Sequence, residues 1–397
     1  MCTTRARLKE ANSQLAYLHA DFAKDNDKSV WLVRLRDIDV VVNAVGIFRE
    51  SGRQRFATLH TSTPRALFSA CAESASVKLV IQLSALGADE GAQTPYHLSK
   101  KGADDYLATL PLRAFIVQPS LVYGKDGASA RLFKTLASLP FSVRFGTAAQ
   151  LVQPVHVDDL AAAVAALVRQ PLPAPPNGTA RRIALVGPAP MPFIDYLATL
   201  RAGMGLGALR VLRLPAGAAR LIAALRLGLL DPDALRMLDR GNGADPATTA
   251  RLLGRAPRGA ATFIEDARAE RFQAKLGWLL PVLRYAIAFV WIATAVVSAF
   301  YYPAELSYQL LERSGVPAAW QPLMLYGAAA FDLLLGLGIV LLARRRRLWL
   351  AQLGLIGFYT LVIAFKLPEF LMHPYGPLTK NLPMLAAIWL LYELEDT

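Results

Sequence analysis

Val77–Ser120, VKLVIQLSALGADEGAQTPYHLSKKGADDYLATLPLRAFIVQPS, decides the fold of the N-terminal part of the chain. Its two ends, Val77–Leu83 and Leu112–Gln118, are nearly continuous apolar runs, the pattern of strands covered on both faces. Between them, Ser99–Thr109 repeats apolar residues at helical spacing. Strand, helix and strand in that order form a parallel crossover unit. Working outward, Leu15–Phe22 (LAYLHADF) and Ile38–Val45 (IDVVVNAV) read as two more strands, and Thr63–Ser74 as a helix. The alternation predicts a doubly wound α/β sheet.

In sheets of this kind ligands sit beyond the carboxyl ends of the strands. Asp21 closes the first predicted strand, Asn43 and Gly46 the second, Ser84 the third, and Pro119 with Ser120 the fourth. Such residues are also ordinary turn formers, so each alone says little. Tyr96 and Lys100 add chemistry. Four residues apart at the start of a predicted helix, they share one face, directed toward the end of the Ser84 strand. A phenol ordinarily titrates near 10, and an ammonium beside it is expected to pull that value toward neutrality. The phenol then transfers a proton to or from a substrate oxygen while the serine hydroxyl meets the same atom. A Tyr-x-x-x-Lys pair arises by chance in many chains; its place between these two strands gives it weight.

That constellation resembles the short-chain dehydrogenase/reductase superfamily, in the extended and atypical branch that includes sugar-nucleotide epimerases and a dehydrogenase-like accessory subunit of complex I. The resemblance spans residues 3–270. It implies a Rossmann-like fold binding NAD or NADP, with Ser84, Tyr96 and Lys100 as the catalytic set. Tyr96 would be the general acid/base, Lys100 would lower its pKa and hold the nicotinamide ribose, and Ser84 would orient the substrate oxygen. The resemblance also implies cofactor contacts from Asp21 and Phe22 beside the adenine, from Asn43, Ala44 and Gly46 at a strand end, and from Pro119 and Ser120 within the Gln118–Gly124 loop. Arg5 occupies the position that meets the 2'-phosphate of NADP, but an arginine in a basic N-terminus is commonplace, so NAD and NADP both stay open. Pro154–Val164 (PVHVDDLAAAV) matches the second-domain helix of that branch, and its His156, Asp158 and Asp159 read as helix entry and capping.

One departure is large. The superfamily's first strand and glycine-rich phosphate loop have no counterpart in residues 1–14, and Gly203–Gly207 (GMGLG) follows a helical pattern instead of a strand. The sheet is therefore expected to be N-terminally incomplete, with roughly 30 residues of strand, loop and helix belonging upstream of Met1. Residues 171–180 (PLPAPPNGTA) read as a surface loop, and Ala216–Leu230 as a helix lying on the membrane interface or packed on the sheet domain.

Near Trp278 the composition changes. Tyr285–Tyr302, Pro322–Ala343 and Leu348–Phe365 are long apolar stretches, and Gly376–Tyr392 is a shorter fourth. A helix of 18 residues, the length of Tyr285–Tyr302, rises about 27 Å, close to the thickness of a bilayer core. An all-α four-helix transmembrane domain over 276–397 is thus expected to follow the Rossmann-like domain over 1–275. Arg344–Arg347 fill the turn between the second and third spans, and Arg268, Arg271, Lys275 and Arg284 precede the first. The positive-inside bias places both clusters, the N-terminal domain and the C-terminus on the cytoplasmic side of a cell inner (plasma) membrane. The net charge of +13 and the pI of 9.9 are partly explained by this arrangement, and the mean hydropathy of +0.33 fits a chain with a part in the membrane. With no recognition-helix motif, a nucleic-acid partner is not expected. Two cysteines, Cys2 and Cys71, support neither a disulfide framework nor a metal site. The basic MCTTRARLKE start leads into no apolar run, so no secretory signal is expected.

Asp332 falls mid-span, where a charge is costly; it is either a site residue or an acid that holds helices together, with Lys366 or Lys380 as partner. Glu369, His373 and Lys380 lie in or near the turn between the third and fourth spans. His373–Glu395 (HPYGPLTKNLPMLAAIWLLYELE), taken with the four spans, resembles the DoxX-like family of small membrane proteins over the C-terminal part of the chain. That resemblance implies membrane redox chemistry, including thiosulfate and quinone systems. Together the two imply a membrane-anchored NAD(P)-dependent oxidoreductase acting on an apolar or membrane-delivered carbonyl or quinone-like substrate. The lipid bilayer and a respiratory or redox membrane protein are the partners this admits. A sugar-nucleotide epimerase or dehydratase, and a non-catalytic nucleotide-binding assembly protein, are the alternatives left open.

Overall fold

The computed structural model describes residues 16–144, 150–169, 180–213, 232–372 and 378–395. The chain divides into two compact units, Met1–Ala274 and Lys275–Thr397. The first unit begins with α1 (Lys28–Arg34), β1 (Val40–Asn43), α2 (Thr63–Glu73), β2 (Leu79–Leu83), α3 (Pro95–Thr109) and β3 (Ala114–Pro119). It continues through β4 (Val122–Tyr123), α4 (Ala128–Ser138), β5 (Ser142–Arg144), β6 (Leu151–Val152), β7 (Val155–His156), α5 (Val157–Arg169), β8 (Ala180–Leu185), β9 (Met191–Pro192), α6 (Phe193–Gly203) and β10 (Val211–Arg213).

A four-stranded sheet runs β1-β2-β3-β8 with every neighbour parallel. Successive side chains of a strand point to opposite faces, and the sequence uses both. Val80, Ala114 and Ile116 pack with Phe68 of α2 and Leu107 of α3, while Ile81, Phe115, Val117 and Ile183 pack with Leu160 and Leu167 of α5. Helices on both faces make the sheet doubly wound, as the apolar runs require. The helix α3 starts where Thr94, in extended backbone, accepts from the His97 N–H at 3.4 Å and Pro95 takes a first-turn position.

Two elements differ from the sequence pattern. Of the expected strand Leu15–Phe22, residues 16–21 take no regular structure and Phe22–Lys24 form a turn. An extended segment becomes a strand only when an adjacent strand takes its backbone groups, and among the described residues β1 is the sheet edge on that side. Conversely, β8 is a sheet strand that the apolar pattern did not mark. Arg181 and Arg182 interrupt its run, and they are tolerated because β8 is the opposite edge.

The rest of this unit forms a smaller lobe built on Tyr123, Tyr196, Leu197, Leu200 and Phe263. Short pairings β4–β7, β6–β9 and β5–β10 stitch it together. Gly187 is required where the chain passes the β6–β7 turn: a Cβ there would stand 2.0 Å from the Pro154 carbonyl oxygen. Asp158 and Asp159 open α5 beside His156, whose Nδ1 accepts from the Asp158 N–H at 3.2 Å. Asp159 is also the anchor for Arg255 (2.6 Å) and Arg258 (3.1 Å). Deep in the lobe, Glu270 accepts from Tyr123 Oη at 2.8 Å and from Lys134 Nζ at 2.7 Å, with both charged side chains buried.

Glu270 belongs to the first turn of a helix, Ala267–Val296, that continues into the second unit. There the helix Ala267–Tyr301 (with its terminal π turn), Ala318–Leu341 and Arg346–Lys366 are each long and apolar enough to cross a membrane. The fourth apolar helix, Asn381–Leu394, has only 14 residues, or about 21 Å of rise, short of a bilayer core. It starts later than Gly376 because Thr379 and Lys380 form the entering turn; residues 376 and 377 lie outside the described residues. Ile287, Trp291, Leu335, Ile339, Trp349, Ile356, Ile388 and Leu391 form the core of this unit. Within that core Trp291 donates to Gln352 Oε1 at 2.9 Å. Gly336 lets two helices close, since a Cβ there would lie 3.1 Å from the Ala288 oxygen.

Arg284 and Arg346, one from each basic cluster, come together at one end of this unit. Glu395, at the C-terminal end of Asn381–Leu394, accepts from Arg284 at 2.5 Å and from Trp349 at 3.2 Å, and Arg346 donates to Tyr392 at 3.1 Å. Two apolar helices of the described chain lie between Arg284 and Arg346, and two between Arg346 and Glu395. Asp332 is buried, and its Oδ1 finds no hydrogen-bond partner among the described residues; Lys366 and Lys380 form no ion pair with it.

Candidate active site

The site lies where β1 and β2 end and α3 begins. Asn43 closes β1 by donating to Gln82 Oε1 at 2.7 Å across the strand pair, while its own Oδ1 accepts the Val45 N–H at 3.2 Å. Past it the chain runs through Ala44 and Gly46, both exposed at the sheet edge. A Cβ at Gly46 would stand 3.0 Å from Lys100 Nζ and 3.5 Å from His60 Nε2, so only glycine leaves that space open.

Lys100 reaches this corner from α3. Its ammonium donates to the Leu83 carbonyl at 3.0 Å and to the Val45 carbonyl at 3.3 Å, and the side chain is 4% exposed. Burial lowers its pKa to about 8, against the opposing charge of Asp104. An ammonium has three donors, and these two bonds leave one for a ligand. His60 accepts the Ile47 N–H on Nε2 at 2.9 Å, which leaves Nδ1 to donate to Ser99 Oγ at 2.9 Å. Burial, followed by the Lys100 charge, drops its pKa to about 3, so the ring is neutral.

Tyr96 is one turn before Lys100 on the same face. Its ring is surrounded by Phe48, Phe56, His60 and His97 at centroid separations of 5.5, 6.1, 5.6 and 5.4 Å. Phe48 is exposed at the mouth of this aromatic cluster. The expected lowering of the phenol pKa is not what the geometry gives. Burial pushes Tyr96 up to about 12, helped by the charge of Asp104, because Lys100 turns its charge onto two backbone carbonyls.

Ser84 follows β2, and its hydroxyl donates to the Asp104 carboxylate. The loop after it turns at Gly87 with φ +97°, a conformation that favours glycine. Arg240 holds that loop by donating to the Gly87 carbonyl at 2.8 Å and pairing with Asp89. Beside the start of α3 a cleft of about 390 Å³ is lined by Thr94, His97, Arg236, Met237 and Arg240, among others.

The other residues named from the sequence fall into two groups. Ser120 is buried at the end of β3 after Pro119 and donates to the Gln153 carbonyl, tying the sheet to the smaller lobe. Asp21 is used by its own turn, accepting the Ala23 N–H at 3.0 Å, while Phe22 is buried edge-on against Trp31 at 5.3 Å. Arg5 lies outside the described residues. His60, Asp104 and Arg240 were not singled out in the sequence. Asp104 had a signal, since it continues the face of Tyr96 and Lys100 by one more turn; His60 and Arg240 had none. Among the described residues no cluster of His, Cys, Asp and Glu fits a metal ion.

Residues 288–389, about a quarter of the chain, match the model of the DoxX-like family. No curated protein matches. Among solved structures, UDP-glucuronic acid 4-epimerase from Bacillus cereus, in complex with UDP-glucuronic acid and NAD, aligns at 18% identity and a TM-score of 0.48, over 68% of this chain and 84% of its own. UDP-N-acetylglucosamine 4-epimerase from Bacillus cereus aligns at 14% and 0.46, over 65% and 84%. DesIV, a dTDP-glucose 4,6-dehydratase from Streptomyces venezuelae with NAD and TYD bound, aligns at 18% and 0.47, over 69% and 85%. The chain thus joins a parallel, doubly wound α/β unit to a helical unit with three apolar helices of membrane-spanning length and a DoxX-like match.

Proposed function

We propose that the protein is a membrane-anchored NAD(P)-dependent reductase of an apolar or membrane-delivered carbonyl or quinone-like substrate. The observation that carries this is Tyr96 and Lys100 on one face of α3, with the lysine ammonium at the ends of β1 and β2 above Gly46. The nicotinamide side of a dinucleotide fits here. Lys100 keeps one donor for a ribose hydroxyl, and Gly46 leaves the room that a side chain would fill. For the pyrophosphate, no glycine-rich turn between a strand and a helix occurs among the described residues.

When bound, the cofactor supplies a hydride to the substrate carbon. A phenol titrating at about 12 is protonated at neutral pH, so Tyr96 is set up to give a proton to the substrate oxygen and poorly set up to take one. This favours carbonyl reduction over an epimerase or dehydratase cycle that opens with proton removal. Lys100, titrating at about 8, is acidic enough to return a proton to the phenolate left behind. Phe48 and Phe56 exclude water around the phenol and present an apolar rim to the substrate. Apolar helices on the same chain give a reason for such a substrate to arrive from lipid. The basic end of the helical unit, with Arg284 and Arg344–Arg347, is assigned to the cytoplasmic face of the inner membrane.

The test uses the full chain in lipid nanodiscs, following NADPH or NADH oxidation with decanal and decylubiquinone as probe acceptors. Tyr96→Phe should lose at least about 100-fold in turnover while NADPH fluorescence still reports binding. Undiminished turnover would remove the reductase reading, and unaltered cellular function in that variant would favour an assembly protein.

A further inference from the structure

Asp104 is a buried ionisable group on this face of α3 that the mechanism leaves unused. It stands one turn after Lys100 and two after Tyr96, so all three share a face of α3. The side chain is 0% exposed. One oxygen accepts the Ser84 hydroxyl, and the other, Oδ1, has no hydrogen-bond partner among the described residues. The charged and titratable groups around it are Ser84 from the end of β2, Tyr96, Lys100 and Asp105 on its own helix, and Arg182 from β8.

A hydroxyl owns a single proton. While Ser84 gives that proton to an ionised carboxylate, it offers an incoming carbonyl oxygen only lone pairs, which repel the negative charge that develops there on reduction. Once the carboxyl is protonated, its O–H can donate to Ser84 Oγ, and the serine proton becomes free to point elsewhere. We propose that Asp104 is a positioning residue: taking up a proton from solvent reverses its hydrogen bond with Ser84 and releases the serine proton to the substrate oxygen. No electron moves in this step, and one proton is bound. The proposal rests on the reductase reading of Ser84, Tyr96 and Lys100.

The burial that strips Asp104 of water raises its pKa to about 7, against the opposing effects of the Ser84 hydrogen bond, Arg182 and Lys100. The serine is therefore a donor to substrate below about pH 7 and an acceptor above it.

Infrared difference spectroscopy on the full chain in nanodiscs, equilibrated at successive pH values, reads this directly. The wild type should show a protonated-carboxyl band with a midpoint near neutrality, absent in Asp104→Asn and assigned independently by 13C-aspartate labelling should that variant fold poorly. Ser84→Ala should shift the band, because the carboxyl O–H loses its acceptor. A carboxyl that stays ionised throughout, or a band indifferent to Ser84→Ala, overturns the proposal whatever the turnover. Retained turnover in Tyr96→Phe overturns the reductase reading whatever the band does.

Discussion

Lys100 and Asp104, one turn apart, are both moved by burial toward neutrality from opposite sides, to about 8 and about 7. Stability should register this. Between the ordinary carboxylate range and about 7, folded Asp104 holds a proton that the unfolded chain has released, so stability falls as pH rises through that window. Asp104→Asn should flatten that slope in thermal melts taken from pH 4 to 7, and an unchanged slope would mean that Asp104 is not the group responsible. That Tyr96 and Lys100 share a helix face was legible in the sequence, through their spacing and their place between two strands. The direction of the phenol shift was not, because it depends on how far the ring is buried and on which way the ammonium turns. Phe48, Phe56 and His60, which bury the ring, come from a segment that carries no motif.

At the scale of elements, β2 and β3 could be read from sequence because both of their faces are covered, and full cover leaves an uninterrupted apolar run. The edges were harder. Two arginines hid β8, whereas Leu15–Phe22 carried a strand-like composition and its described residues form no strand. Contacts between distant segments were beyond reach, and the buried set of Tyr123, Lys134 and Glu270 is the clearest case. Glu270→Ala leaves Lys134 buried without its counter-charge, so this variant should lose roughly 3–5 kcal/mol, measured by denaturant unfolding. A loss within 0.5 kcal/mol, about the effect of a surface substitution, would contradict the buried ion pair. Gly187→Ala places a methyl group against the Pro154 carbonyl oxygen, a backbone atom that cannot swing aside, and should cost at least about 1–3 kcal/mol in the same assay.

For the whole molecule, the change in composition near Trp278 marks the passage from an α/β part to an oily one, and the chain divides into two compact units after Ala274. Charge placement gives a prediction at this scale. Single cysteines replacing Arg344 or Glu395, introduced with Cys2 and Cys71 changed to serine, should both react with an impermeant maleimide from the cytoplasmic side of inverted vesicles. Labelling of the two from opposite sides would contradict the even number of crossings between them, and labelling of both from the outer side would reverse the orientation.

The central claim is that Tyr96 protonates an oxygen as a hydride reaches the neighbouring carbon. Its most direct measurement is isotope transfer: NADPH or NADH deuterated at the transferable position, the full chain in nanodiscs, and decanal as acceptor. The account predicts cofactor deuterium on the carbinol carbon of the decanal product in the wild type, with incorporation falling at least about 100-fold in Tyr96→Phe. Reduction without deuterium transfer, or equal transfer in the two proteins, would contradict it.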